Sequence, residues 1–415
     1  MARRVALFGL SLVSLLAACQ LVAGIERVDK STTGPTVTDV PDASAPTEAG
    51  PIDPCVHARL PDTPSVDDDA AFELPTIVMA MERFSLKDNP DGHPGVDLDN
   101  VCTCDTRPDT AHDGASSCVR KGKPACDGDG GVDNFFGDSV ATFQVGFDID
   151  DFAGVNEGIS RGRQSALLFV RKYNGRANDR DVEVGFVASD GIRDQGCPQS
   201  VPEGTGRGWY TPGWCGTDAW SVLPGTIVNG FPVAYGPGHV TDYSLVVELD
   251  LSVGVPFGDI VLAMGSPVSV GKLVPLDKDM KPRDPNVPAT PEEQTLWRLD
   301  DGIIAGRVAA TDMLSAAGAA FSPTGIGQDG TRVCQNPLFF SYIKGRICDS
   351  LDIAKSAKLD FQPDYACDAV SMMIRYSCAP ARVGGEYKTD LTANPCVAVD
   401  GGPREPQPGV SYRCD

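Results

Sequence analysis

Tyr243-Ser244-Leu245-Val246-Val247-Glu248-Leu249-Asp250-Leu251-Ser252-Val253 is the stretch that sets the fold class. A period of two places Tyr243, Leu245, Val247, Leu249, Leu251 and Val253 on one face of an extended chain, the signature of a half-buried strand. The same alternation runs through Phe143, Val145, Phe147 and Ile149, through Val182, Val184 and Phe186, and through Ile260, Leu262 and Met264. Thr76–Phe84, Ala166–Val170, Trp220–Val228, Phe231–Tyr235 and Ile303–Val308 are further strand candidates. Turn sequences such as Asn174-Gly175 and Asp190-Gly191 separate these runs, with no helical period between them. Crossover helices, and with them a parallel sheet, are therefore disfavoured. The expectation is a mainly β chain with an antiparallel β-sandwich or jelly-roll-like body.

Helical spacing appears only late. Val308, Met313, Leu314 and Ala317 suggest one short helix; Leu338, Phe339, Tyr342, Ile343 and Ile347 a second; Val370, Met373, Ile374 and Ser377 a third. Cys334, Cys348, Cys367, Cys378, Cys396 and Cys414 fall in the same region, so disulfides and docking on the sheet are expected to hold these marginal helices. The 415 residues include 45 Gly and 33 Pro, which excludes coiled-coil and fibrous architectures. A net charge of −22 repels phosphate backbones, so nucleic acid is excluded as a partner.

At the amino terminus Arg3 and Arg4 precede an apolar stretch from Val5 to Ala18, too short to span a bilayer but suited to a secretory signal. It ends in Leu16-Ala17-Ala18-Cys19, which resembles the lipobox of bacterial lipoproteins. That resemblance implies a mature chain beginning at a diacylated Cys19 and held to a membrane by acyl chains, each buried methylene contributing roughly 0.8 kcal/mol. In well-studied bacteria Asp after the cysteine marks inner-membrane retention; Gln20 stands here, pointing to the outer membrane. The organisation expected is a signal peptide at 1–18, a lipidated cysteine and polar tether at 19–54, a β body at 55–331 and a Cys-rich short-helix region at 332–415, with the tether reaching on the order of 30 Å.

Fourteen cysteines in an exported chain read as disulfides rather than zinc ligands. Cys197 and Cys215 are expected to close a local loop, Cys334, Cys348, Cys367 and Cys378 to pair in the C-terminal region, and Cys102, Cys104, Cys118 and Cys126 to staple one excursion. If Cys19 carries lipid, an odd number remains and one thiol is left over.

Two constellations suggest binding. In Asp127-Gly128-Asp129-Gly130-Gly131-Val132-Asp133-Asn134, oxygens of Asp127, Asp129, Asp133 and Asn134 could converge on a hard cation while the glycines permit the tight turn. The run resembles the calcium loops of thrombospondin type 3 repeats, though it occurs once and lacks the closing Glu of an EF-hand; the alternative is a solvated Asx-rich turn. Between Gly204 and Trp220, Trp209, Tyr210 and Trp214 lie beside Asp218, a set that could stack on sugar rings, the alternative being that these aromatics cover a hydrophobic edge. Gly158-Ile159-Ser160-Arg161-Gly162 matches a nucleophile elbow but lacks the strand-turn-helix setting, and among His57, His93, His112 and His239 only His239 follows it. Gly325–Gly330 matches a nucleotide fingerprint without a preceding strand.

Gly95-Val96-Asp97-Leu98-Asp99-Asn100-Val101-Cys102-Thr103-Cys104, Gly131-Val132-Asp133-Asn134, Tyr173-Asn174-Gly175 and Asp301-Gly302-Ile303-Ile304-Ala305-Gly306-Arg307, with the lipobox, resemble a group of uncharacterised lipoproteins that myxobacteria encode in many copies. The resemblance implies an envelope-associated, disulfide-containing β protein with no activity to carry over. The expected function is a lipid-anchored envelope binding or interaction protein, with calcium as candidate cofactor and a glycan or envelope protein as candidate partner. The alternatives are a secreted polysaccharide or ester hydrolase and a structural lipoprotein without a ligand.

Overall fold

The computed structural model describes residues 58–68, 71–85, 95–103, 116–120, 127–128, 130–137, 156, 159, 162, 165–189, 191–192, 218–222, 225–249, 253–257, 260–319, 331–362, 364–386, 396 and 411–414. The signal and tether, the strand expected at Phe143–Ile149, Ser160 and Gly325–Gly330 lie outside them. The described strands are β1 (Ile77–Ser85), β2 (Ser165–Arg171), β3 (Asp179–Ser189), β4 (Asp218–Val222), β5 (Ile227–Val228), β6 (Phe231–Pro232), β7 (Gly236–Thr241), β8 (Ser244–Glu248), β9 (Val253–Phe257), β10 (Ile260–Pro275), β11 (Trp297–Ala309) and β12 (Ala369–Glu386). The described α-helices are α1 (Ala310–Ala319) and α2 (Pro337–Asp349).

Eight strands, β1, β2, β3, β7, β8, β10, β11 and β12, neighbour one another in chain order, and β12 returns to pair antiparallel with β1 from Met79 opposite Pro380 to Ser85 opposite Arg375. One sheet closed on itself takes the place of the two facing sheets expected of a sandwich, and closure removes the free edges that an open sheet presents. β4 lies parallel to the end of β12, and β9 pairs with the start of β10.

Eight strands enclose a space that side chains alone can fill. Ile77, Met79, Leu168, Val184, Leu245, Val247, Leu299, Ile304, Ile374 and Tyr376 fill it as one buried cluster, with Trp297 packed edge-on against Tyr173 at 5.3 Å between ring centres. Glycines on the wall admit large residues opposite. A Cβ on Gly271 would lie 2.4 Å from the Leu299 side chain, and one on Gly306 would lie 2.3 Å from that of Met264. Met313 and Leu314 of α1 and Phe340 and Ile347 of α2 join the same cluster. Asn336 caps α2 by accepting from the Phe339 N–H, with Pro337 at the first helical position.

Several expectations change. Val370–Ser377 is strand, not helix: Val370, Met372, Ile374, Tyr376 and Cys378 join the interior cluster, and Met373 on the other face is covered as well. A strand buried on both faces loses its alternation and fits a helical period equally well. Since β12 closes the barrel, residues 332–415 are not simply a helical appendage docked on the body. Tyr243, read as the first inward residue of a strand, is the second residue of the two-residue turn between β7 and β8; Asp242 and Tyr243 have φ of 53° and 62°. The described strands stop short of the expected single run: β8 ends at Glu248 and β9 begins at Val253, and Leu251 lies outside the described residues. Trp220–Val228 divides into β4 and β5.

The disulfides with both cysteines among the described residues are Cys118–Cys367, Cys334–Cys396 and Cys348–Cys414, and Cys102 is disulfide-bonded as well. Cys118 thus reaches across 249 residues rather than stapling a local excursion. Cys378, expected to be bonded, is a free thiol buried in the barrel interior, because strand alternation turns it inward into the cluster of Ile374 and Tyr376. Cys197 and Cys215 lie outside the described residues. Among the described residues no helix is long and apolar enough to cross a membrane.

Candidate functional site

The outer wall of β10–β12 carries Val268, Val270, Ile303, Ala305 and Met373, and the segments around Leu60 and Val96–Leu98 lie on it. Close approach is built into the chain: a Cβ on Gly95 would fall 2.4 Å from Val132 Cγ1 and 2.5 Å from Met373 Sδ. Beyond the end of β1, the exposed edge of β12 is capped by side chains. The Ser371 N–H donates to Asp352 Oδ1 at 2.8 Å and the Met373 N–H donates to Asn134 Oδ1 at 3.0 Å. The Met373–Asn134 bond, with the Phe135 N–H donating to Ser371 Oγ at 2.9 Å, fixes the loop that holds Asp133.

Four carboxylates gather here from two loops. Asp97 Oδ1 accepts from the N–H groups of Asp99 (3.2 Å) and Asn100 (2.6 Å). Asp99 Oδ1 accepts from the Val101 N–H (3.0 Å), and its Oδ2 accepts from Ser117 Oγ (2.6 Å). Asp133 Oδ2 accepts from the Leu98 N–H (2.6 Å), and Asp127 Oδ2 accepts from the Thr103 N–H (2.7 Å). Asp97, Asp99 and Asp133 each offer an oxygen within 4.8 Å of the others, and these residues are 9%, 3% and 2% exposed. The Asp127–Asp133 loop turns on Gly130 and Gly131, with φ of 77° and 73°, and closes with a bond from the Gly128 N–H to the Val132 carbonyl. A Cβ on Gly131 would stand 2.8 Å from Asp97 Oδ2 and 2.9 Å from Cys102 Sγ, so the two loops meet where only glycine fits.

The electrostatics are those of crowded anions. Burial, with the neighbouring Asp97 and Asp360 charges, pushes Asp99 up to about 6. Burial, with the charge of Asp99, pushes Asp127 up to about 7. Asp133 is driven well above the usual carboxylate range by burial and then by Asp99, Asp127 and Asp352. Two guanidinium groups reach the region. Arg307 is committed to a bidentate pair with Asp360 (2.7 and 2.6 Å) and to the Leu98 carbonyl (2.7 Å); Arg120 donates to the Asp352 carbonyl and eases the charge on Asp127. The described carboxylates outnumber these cations, and the all-oxygen donor set suits a hard dication of the calcium type, which accepts irregular cages of carboxylate and carbonyl oxygens. The alternative state of such a cluster shares protons among its carboxylates.

Of the residues singled out in the sequence, Asp127 and Asp133 are brought into one charged cluster. Asn134 is not presented to it by its carbonyl oxygen, which is occupied by the Met373 and Gly137 N–H groups. Asp129, Trp209, Tyr210 and Trp214 lie outside the described residues; for Asp218 only the backbone, at the start of β4, is described. Asp97 and Asp99, which the structure adds to the cluster, were not singled out in the sequence. The available signal was the recurrence of Gly-Val-Asp at 95–97 and 131–133, and of Asp-x-Asp at 97–99 and 127–129. Trp220 is buried against Leu167, Phe169 and Ile192 on the outer wall, serving packing. His239 is engaged with the Pro61 carbonyl at 3.0 Å and fastens the chain entering the barrel. No protein-family model, curated protein or solved structure matches the chain.

Proposed function

We propose that this chain is an exported, lipid-anchored envelope protein of the binding or interaction kind, whose loop face is organised by a bound calcium ion. The observation that carries the reading is the convergence of Asp97, Asp99 and Asp133 oxygens within 4.8 Å in a buried setting, with Asp127 charge-coupled to them. Asp97, Asp99, Asp127 and Asp133 hold the ion, and calcium supplies the charge neutralisation that lets the two loops stay closed. Three disulfides suit an oxidising compartment, in agreement with the export signal and with Cys19 as the lipidated residue. The outer membrane is the proposed site of anchoring. Since the described barrel interior is packed with side chains, a partner is met by the loops outside it, and the segment bearing Trp209, Tyr210, Trp214 and Asp218 is of a composition that suits a glycan.

Calorimetry on EDTA-stripped protein tests the cation. Calcium should bind with about one ion per chain, and at a hundredfold excess over Kd it should add about 2.7 kcal/mol of stability. Asp99→Asn and Asp133→Asn keep a hydrogen-bond acceptor but remove a charge, and each should weaken binding at least tenfold. Absence of heat with the wild-type chain removes the calcium reading. Labelled palmitate entering the wild type but not Cys19→Ala tests the anchor.

A further inference from the structure

We infer that the β5–β6 hairpin is a membrane-surface contact: its outward apolar face enters the headgroup region of the bilayer to which the chain is anchored and sets how the barrel is oriented there. The inference rests on the lipid-anchor reading and extends it from attachment to orientation. Val228 pairs with Phe231 and Ile227 with Pro232 across a two-residue turn, in which Asn229 and Gly230 have φ of 53° and 81°. Directly paired residues share a face, so the hairpin has an inner side, Ile227 and Pro232, and an outer side, Val228 and Phe231, which Val233 extends. The inner side lies on the outer wall of β2 and β3. Pro232 is buried, a Cβ on Gly185 would come within 3.0 Å of it, and Ile227 packs against the cluster of Leu167, Phe169 and Trp220. The outer side is left in water: Val228 is 56%, Phe231 38% and Val233 49% exposed. Single exposed apolar residues are ordinary, whereas neighbours sharing one projecting face mark a contact site.

Charge and area choose the occupant. Residues 219–241 contain no Asp, Glu, Lys or Arg, although 22% of the chain is charged and its net charge is −22. At the base of the hairpin Arg171 and Lys172 pair with Glu183, and Lys172 lies 3.7 Å from Asp181, two cations against two anions. The described side chains here thus lack the excess negative charge by which the chain at large is repelled from anionic lipid. The Arg171 guanidinium stands over the Tyr235 ring at 3.9 Å and over the Phe231 ring at 5.3 Å. Val228 and Phe231 are therefore outermost, with a half-buried tyrosine and an arginine behind them, the order in which apolar, amphipathic aromatic and basic groups meet acyl chains and headgroups. Three side chains fall far short of the ~800 Å² per partner that a stable protein complex buries, whereas a body already fastened to a bilayer needs only a weak second contact. Leu60, just beyond the expected tether, lies on the wall of β10–β12, so the tether must pass around the barrel for this side to face the membrane. Its fully extended length, on the order of 100 Å, permits that.

Fluorescence quenching by brominated lipid reads the contact. The full lipidated chain carrying Phe231→Trp is placed in vesicles of phosphatidylethanolamine and phosphatidylglycerol, with or without bromine on the upper acyl chains, and the wild-type signal is subtracted. The added tryptophan should be quenched at least twofold by the brominated lipid. Val287→Trp, at a residue 56% exposed between β10 and β11, should not respond. Val228→Asp in the Phe231→Trp background should abolish the quenching and leave the urea midpoint unchanged, since the Val228 side chain faces water. In the unlipidated Cys19→Ala chain without vesicles, the same tryptophan should be open to acrylamide. Palmitate incorporated without quenching overturns the hairpin contact, leaves the anchor standing and assigns the face to a protein partner; no palmitate removes both. A tryptophan shielded from acrylamide also overturns the inference, the face then being covered by the chain itself or, where sedimentation shows a dimer that Val228→Asp dissolves, by a second copy. Equal quenching at Val287→Trp overturns it too, because the body would then meet the membrane with no preferred side.

Discussion

Replacing Glu82 with Gln should make the protein more stable at pH 8 and leave it nearly unchanged at pH 4.5. Glu82 sits at the irregularity in the β1–β12 pairing between Met81 and Arg83, is 8% exposed, and accepts a long hydrogen bond from Ser377. Burial and then the Asp300 charge push its carboxyl up to about 8, against the opposing pull of Arg298, which is itself paired with Asp300 at 2.7 Å. The adjacent Cys378 thiol is also raised, by burial and by the charges of Glu82 and Asp300, so it stays neutral and gives no relief. The unfolded chain releases the Glu82 proton near 4.5, while the native state keeps it until about 8. Between those values the native state holds the extra proton, so stability falls as pH rises, by about 1.4 kcal/mol per pH unit, and the fall ends above pH 8. The ceiling is about 5 kcal/mol, and relaxation of the exposed side of the site will lower it. Gln accepts from Ser377 as Glu does and never ionises, so the stability difference between variant and wild type isolates this proton. Urea unfolding followed by tryptophan fluorescence, in EDTA at pH 4.5, 6, 7 and 8.5, should show the difference opening with pH at constant m-value. A difference that does not vary with pH, or a less stable variant at pH 8.5, would refute the reasoning.

Gly131→Ala should weaken calcium binding at least tenfold in calorimetry, because its Cβ would press on Asp97 Oδ2 and Cys102 Sγ, while the φ of 73° adds about 1–2 kcal/mol of backbone strain; unaltered affinity would show that the loops do not meet there. Removing the Cys118–Cys367 bridge by a double change to Ala should cost about 2–5 kcal/mol, given the 249 residues it spans, and an unshifted thermal midpoint would deny it a structural role. Asn336→Ala should cost about 1 kcal/mol in chemical unfolding through loss of the cap on α2, with Asn336→Asp retaining most of it.

How much of this was legible in the chain depended on how each face is covered. β3 could be read because Asp181 and Glu183 alternate with buried Val182 and Val184, so the period of two survives. β12 could not, since Met373 on its outer face is covered by Val96 and the Ser371 side chain is bound to Asp352, leaving no polar alternation to detect. Closure into a barrel was invisible for a different reason. It rests on the pairing of Met79 with Pro380 and its neighbours, about as distant in sequence as any contact here, and nothing local in Ile77–Ser85 names its second partner. The candidate site was half legible. The glycines and acids of 127–134 announce a tight acidic turn by themselves, whereas Asp97 and Asp99 acquire meaning only once Gly95 and Gly131 let the two loops touch.

The packing of the barrel then constrains where any function resides. Leu299 over Gly271 and Met264 over Gly306 are large-on-small pairs that leave the interior occupied, and the buried Tyr376 hydroxyl is bonded to Ser269 at 2.6 Å rather than presented to a ligand. Enlarging this interior means creating a cavity: Leu299→Ala should cost about 2–5 kcal/mol, depending on how far the wall can relax. The outer wall differs in kind. There the contacts under Val96 and Leu98 are made by loops whose junction is lined with carboxylates, so their strength depends on the ionic state of the seam as well as on apolar burial. A substitution in the interior should therefore lower stability equally with and without calcium, whereas on the proposed reading Val96→Ala should reduce it less in EDTA, where unneutralised carboxylates loosen the seam and weaken this contact, than in calcium, which would keep the loops on the wall. Equal losses for Val96→Ala in both conditions, measured by urea unfolding, would mean that the cation and the wall contact do not act on the same seam.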